Sequence, residues 1–413
     1  VQVAKSIMVK VSPKINRNKY IALRTFLNTY QTIARIYYSY IVENSLHEKL
    51  ACGEITSIDL KRILHRELYR QIREMFDIGS NTIHDIKDTV VAVFNSYAKL
   101  VKKGKNPDLP KINRFTVNLN YPRVISVFEH GKEFDFFFKV KLNGGKRVAI
   151  PIECGEMQKQ FLKDALNGKY KFGAFQLVRR NGCFYFVIPI KKEVEIKEEY
   201  DSVVGVDLGL RYNAVITLLH KNGKINHVEF VKYRKLMHKI RMLWYRIDKL
   251  KSMLPKGQKT SKQIQKLYAK IRRINNWIAH NVSKKIVEIA KENNAMIAME
   301  NLKNLKPAKG KNSKKNNREI ANWVRGKVIK YVLYKSNWEG IKVKLVPAKN
   351  TSKTCHICGA VGYRKGVIFK CKSHNYVVNA DFNASVNIGI RAMFPDVVGC
   401  VDHPAGLMHL QSS

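Results

Sequence analysis

Three acidic residues in separate sequence settings have the types and placement to work together. Asp207 ends the run VVGVD, Glu300 ends the run AMIAME, and Asp381 opens DFNASVNIGI. Carboxylates delivered from the ends of two strands and the start of a helix would hold paired Mg2+ or Mn2+ ions against a phosphodiester. Like charges so clustered repel unless a divalent cation sits among them, so the set implies a metal-dependent nuclease. Taken singly, each has a plainer account: Asp207 as a turn residue bonding its own backbone, Glu300 as an ordinary strand-end carboxylate, Asp381 as a helix N-cap. Only their joint placement favours a site.

A second constellation lies just before Asp381. Cys355 and Cys358 form a CxxC knuckle, and Cys371 with His374 repeats the spacing as CKSH. Two pairs of soft ligands spaced in this way fit a tetrahedral structural Zn2+ ribbon. His356, Cys400 and His403 compete for the fourth position, although His356 directly follows Cys355 and is poorly placed to share its knuckle. Seven cysteines make no disulfide framework, and Cys52, Cys154, Cys183 and Cys400 read as small buried residues or inert thiols.

The elements that must carry these residues show in the periodicity. After a first strand, residues 16–100 repeat apolar positions at helical spacing, giving a block of three or four helices. KKGKNPDLPK has the composition of a linker. From Arg114 to Lys192 the pattern changes to period two, with Asn181 and Gly182 as a hairpin turn. With the first strand added, this predicts a small β-barrel interrupted by the helical block. VVGVDLG, AVITLLH and INHVEFV then read as three antiparallel strands, followed by two long basic helices broken near LPKGQKTS, strands at AMIAME and VKLVPA, and a last helix. That is the order of a ribonuclease H-like domain.

Charge bounds the partner. The chain has 76 Lys plus Arg against 32 Asp plus Glu, a formal +44 spread from end to end. A fold this basic repels itself unless a polyanion neutralises it, which points to a long or folded nucleic acid. A thermophile-like Lys-rich surface would carry matching Glu, and it does not. The basic run Leu305 to Arg318 reads as a loop able to meet phosphates or simply as a solvated one. Trp244, Tyr245, Trp277, Tyr37 and Tyr38 could stack on bases, but aromatics at helical spacing are more often core. No apolar run reaches the ~20 residues of a membrane span, and the first residues alternate like a strand rather than a signal peptide. No membrane partner and a cytoplasmic location, with nucleoid association on DNA, are therefore expected; monomer and homodimer both stay open.

VGVDLGLRYNAV, IAMENL, TSKTCHICG and NADFNASVNI, in this order, closely resemble TnpB, the RNA-guided nuclease family of small insertion-sequence transposons related to compact type V CRISPR effectors. The resemblance covers residues 203–390 by motif and the preceding half only by layout. It implies a multidomain α/β protein: a wedge-like β-barrel at 1–14 and 110–198, a helical recognition domain at 15–109, a RuvC-like nuclease domain at 199–350 and 379–393, a zinc ribbon at 351–378 and a tail at 394–413. By motif position the family's catalytic triad falls on Asp207, Glu300 and Asp381. Its ribbon falls on Cys355, Cys358, Cys371 and His374, where the family usually has a fourth cysteine. A guide RNA and a target double-stranded DNA are the implied partners, and one RuvC-like site would cut displaced strands. An RNA-guided binder that does not cut, and a guide-independent resolvase or transposase, are the competing readings.

Overall fold

A computed structural model of the 413-residue chain describes residues 1–110, 117–130, 133–301 and 325–394. The run Leu305 to Arg318, Cys400 and His403 lie outside the described residues. The chain divides into two compact units: Gln2–Glu193, and Val194 onward together with Val1.

The first unit opens with β1 (Gln2–Val11) and the helices α1 (Arg17–Glu43), α2 (Leu46–Cys52), α3 (Ser57–Met75) and α4 (Ser80–Val101). Each long helix has a one-sided apolar stripe; α3 buries Leu60, Leu64, Leu68 and Ile72, spaced four apart. Thr56 starts α3 with a capping box, exchanging hydrogen bonds with Asp59. Antiparallel strands follow: β2 (Val117–Leu119), β3 (Ile125–Glu129), β4 (Phe136–Lys141), β5 (Arg147–Glu153), β6 (Lys171–Phe172), β7 (Phe175–Arg180) and β8 (Cys183–Glu193), with α5 (Glu156–Leu166) between β5 and β6. They pair in the order β2-β7-β8-β1-β5-β4-β3, with β6 beside β8. β1 thus sits in the middle of a sheet whose other strands follow the helices in the chain. Pairing among the described residues leaves β2 and β3 as the ends of the path, so an antiparallel sheet is seen and a closed barrel is not. The β7–β8 turn has Asn181 and Gly182 at φ 48° and 83°, the left-handed pair that a two-residue hairpin needs.

The second unit is built on β9 (Ser202–Asp207), β10 (Ala214–His220), β11 (Ile225–Val231), β12 (Met296–Glu300) and β13 (Val343–Val346), in the order β11-β10-β9-β12-β13. β9, β10 and β11 are antiparallel, while β12 runs parallel to both β9 and β13. Central strands β9 and β12 are apolar and buried between their ends because both of their faces are covered. On one face lie α6 (Arg234–Ser252), α7 (Lys262–Glu292) and α8 (Arg325–Glu339), around Val204, Val206, Ile216, Ile278, Val282 and Ile297. On the other lies α9 (Ala380–Met393), around Val203, Leu219, Ala298, Val386 and Ile388. Between β13 and α9 a small sheet is inserted, β14 (Tyr363–Lys365), β15 (Ile368–Lys370) and β16 (Val377–Asn379).

Candidate metal centre

The register of the central strands sets two of the acids side by side. Met299 pairs with Val206 in the parallel β9–β12 ladder, so Glu300 and Asp207 leave adjacent strands at the same end of the sheet. The third comes from α9 by a close approach. A Cβ on Gly205 would lie 2.1 Å from the Ser385 carbonyl oxygen, and one on Gly389 would meet Val203 and Leu219, so α9 runs antiparallel to β9 in direct backbone contact. Asp381 is one helical turn before Ser385, and Asp207 is two strand residues beyond Gly205. Both steps are roughly 6 Å, so the two carboxylates reach the same level.

Asp381 does not cap its helix, as its position at the start of α9 had allowed. Asn379 is the N-cap, accepting from the backbone amides of Asp381 and Phe382 at 2.9 and 3.1 Å. This frees the Asp381 carboxylate, only 7% of whose residue surface is exposed, to accept from Arg364 Nη2 at 3.0 Å. Arg364 belongs to β14, so the inserted sheet supplies a cation to the acid cluster.

The electrostatics are those of crowded anions. Burial, and then the charges of Glu300 and Asp381, push the Asp207 carboxyl up to about 8, against smaller opposing effects from Arg364 and Arg325. Glu300 is also raised, by burial first, while its hydrogen bond from the Thr351 hydroxyl at 2.5 Å works the other way. Arg325 is pushed down to about 10 by burial, with Glu300 and Asp207 opposing. Asp207 and Glu300, whose ionised forms are disfavoured without more positive charge, stand with Asp381 as hard oxygen donors that fit a divalent cation.

Further polar residues support this cluster. Asn383 and Asn387, buried on α9, donate to Thr354 O at 2.7 Å; Asn387 also donates to Thr351 O at 2.9 Å. They tie α9 to the turn whose Thr351 holds Glu300. Sequence reasoning passed over Thr351, Arg364, Arg325 and the two asparagines. A signal existed for part of the set, since Asn379, Asn383 and Asn387 recur every four residues from the N-cap into α9, a spacing that puts them on one face.

The sulfur site forms as its spacing predicts. One ligand atom from each of Cys355, Cys358, Cys371 and His374 lies within 4.8 Å of all the others. Cys358 Sγ is 3.5 Å from Cys371 Sγ, and His374 Nδ1 is 3.2 Å from Cys371 Sγ. Zinc–sulfur bonds of ~2.3 Å in a tetrahedron put sulfurs about 3.8 Å apart, so the donor set fits Zn2+. Burial pushes the Cys355 thiol up to about 11, a cost that a metal ion offsets. His356 is turned elsewhere, its Nδ1 2.9 Å from Asn383 Oδ1.

Of the aromatics named from sequence, Tyr37 is fully buried and Trp244 packs edge-on against Tyr268, as core residues do. Tyr245 and Trp277 are exposed. No described helix is long and apolar enough to cross a membrane.

The fold and site together define a mixed α/β protein built like the compact Cas12 effectors. A cryo-EM structure of a Cas12f1–sgRNA–target DNA complex matches over 94% of this chain and 99% of its own, with a TM-score of 0.67 at 16% identity. A family model described as "Probable transposase" matches residues 187–309, and one described as "Cas12f1-like, TNB domain" matches 326–388. A TnpB-like protein of Aquifex aeolicus is 32% identical over 231 residues, 51% of this chain and 75% of the relative. A TnpB-like protein of Methanocaldococcus jannaschii is 27% identical over 59% of this chain and 86% of its own. The CRISPR-associated endodeoxyribonuclease Cas12f1 of Sulfoacidibacillus thermotolerans is 28% identical over 61% of each chain. The chain belongs to the TnpB-like family.

Proposed function

We propose that this protein is an RNA-guided DNA endonuclease with one RuvC-like site, formed by Asp207, Glu300 and Asp381. The observation that carries the reading is the arrival of three carboxylates, from β9, β12 and α9, at one end of one sheet, where their mutual repulsion calls for a divalent cation. Support for the guide and target comes from relatives named as RNA-guided or CRISPR-associated DNA endonucleases. The net charge of +44 is what an RNA scaffold and a heteroduplex demand. In this reading the first unit carries the wedge and recognition functions.

Each side chain then has a task. Asp207, Glu300 and Asp381 would hold Mg2+ or Mn2+, whose chemistry would be to activate a water and offset charge on the scissile phosphate. Thr351 fixes the Glu300 carboxylate by its hydroxyl, and Arg364 fixes Asp381. Cys355, Cys358, Cys371 and His374 would hold a structural Zn2+, which would help to keep the small sheet folded.

The test is to purify the chain from cells, sequence the RNA that accompanies it, and supply a target matching that RNA's guide segment. We expect a defined structured RNA, Mg2+-dependent cutting, and loss of cutting with retained RNA in Glu300→Gln. RNA and target binding with no cutting by the wild type would leave a guided binder; no defined RNA would favour a guide-independent resolvase or transposase.

A further inference from the structure

The second unit carries an open groove of about 900 Å3 between the start of α6 and the middle of α7, lined by none of the three carboxylates and none of the cysteines. Lys232, Arg234, Lys235, Lys239, Lys270 and Arg273 line it. None of the six pairs with a carboxylate among the described residues. Its floor is apolar, made by Leu236, Ile274 and the rings of Tyr233 and Trp277, which meet edge to face at 5.3 Å. Trp277 is 50% exposed, an unusual state for an indole unless something covers it.

Six unneutralised cations around a hydrophobic floor are a poor choice for an apolar peptide or a lipid tail. They suit a ligand that brings its own negative charges and flat apolar rings. A nucleic-acid duplex offers phosphates but keeps its base faces stacked inside. A single strand offers both, and base stacking on an exposed aromatic is tolerant of sequence. We propose that this groove binds single-stranded nucleic acid, with an unpaired base stacked on Trp277 and the flanking phosphates held by the cations.

The position suits that task. Asn213, at the mouth of β10, accepts from the Tyr233 amide at 2.9 Å and so anchors the start of α6 to the sheet. Val215 pairs with Asp207, and Ala214 with Val231, so β11 delivers Lys232 at the same end of the sheet as the acids. Two strand spacings, roughly 10 Å, separate β9 from β11. A strand seated in the groove therefore starts close to Asp207. The proposal extends the nucleic-acid reading given above, but binding here does not require that the carboxylates cut.

The test uses the full chain in chelator, so that cutting plays no part, and at raised salt to suppress non-specific contacts. A single strand carrying 5-iodouracil is photo-crosslinked and the adduct mapped by mass spectrometry. Crosslinks at Trp277 or Tyr233 are expected; crosslinks confined to other residues would overturn the proposal. In parallel, fluorescence anisotropy compares an oligothymidylate with an abasic strand of equal length. Trp277→Ala should weaken the first between about fivefold and a hundredfold and the second hardly at all, with Trp277→Phe restoring most of the loss. Replacing Lys270 and Arg273 by alanine should weaken both and flatten the salt dependence. Equal effects of Trp277→Ala on both strands, or none on either, would show that no base stacks there. Because none of these readouts needs turnover, they separate failure of the groove from failure of the nuclease reading.

Discussion

At the scale of single residues, the Asp207 carboxyl carries the sharpest expectation. Its pKa is about 8 in the folded protein against an ordinary 3.8, raised by burial and by Glu300 and Asp381. A raised carboxyl contributes stability while protonated, fully present below about pH 3.8 and lost as pH climbs through 8. In chelator, the melting temperature of the wild type should therefore fall relative to Asp207→Asn between pH 5 and 9, and Mg2+ should restore it for the wild type alone. Parallel melting curves for the two proteins would show that the carboxyl is not in this repelling environment. Thr351 acts through Glu300. Thr351→Val should reduce metal affinity or cutting by about 10- to 100-fold, with Thr351→Ser near wild type, as read from a Mg2+ titration of the cutting rate.

At the scale of elements, Gly205 decides where α9 can lie. Any side chain there meets the Ser385 carbonyl oxygen, which is backbone and cannot turn aside. Gly205→Ala should cost roughly 1–3 kcal/mol of stability by overpacking and should also impair cutting, because Asp381 moves with the helix. Calorimetry and a cutting assay together test this, and a stable, fully active variant would mean that α9 does not position the acid. This is also the scale at which the sequence was most and least informative. Asp207 and Glu300 were legible because each ends a run with no polar residue, the mark of a strand covered on both faces. The cysteine site was legible because its ligand spacing is local. The helix α8 was not, because its apolar residues do not gather on one face. Nor were β3, β6 and α5, short elements beside turns in the first unit. Arg364 and Thr351 could not be read at all, since their roles depend on contacts with partners 17 and 51 residues away.

At the scale of the whole molecule, charge dominates. If the excess of cations is occupied by RNA, affinity for a structured RNA should fall by about a thousandfold or more between 50 and 200 mM salt, measured by filter binding. A shallow dependence would mean that few of the 76 basic side chains touch phosphate. The chain order adds a consequence for how the protein is made. Asp207 leaves the ribosome early in the second unit, whereas Asp381 follows only after about 170 further residues and after the small sheet that anchors its helix. At about 5–20 residues per second, that interval lasts some ten seconds or more. A nascent chain thus shows its first acid long before the trio can assemble. On the proposed reading, the centre that would cut stays incomplete until Asp381 and its helix have emerged.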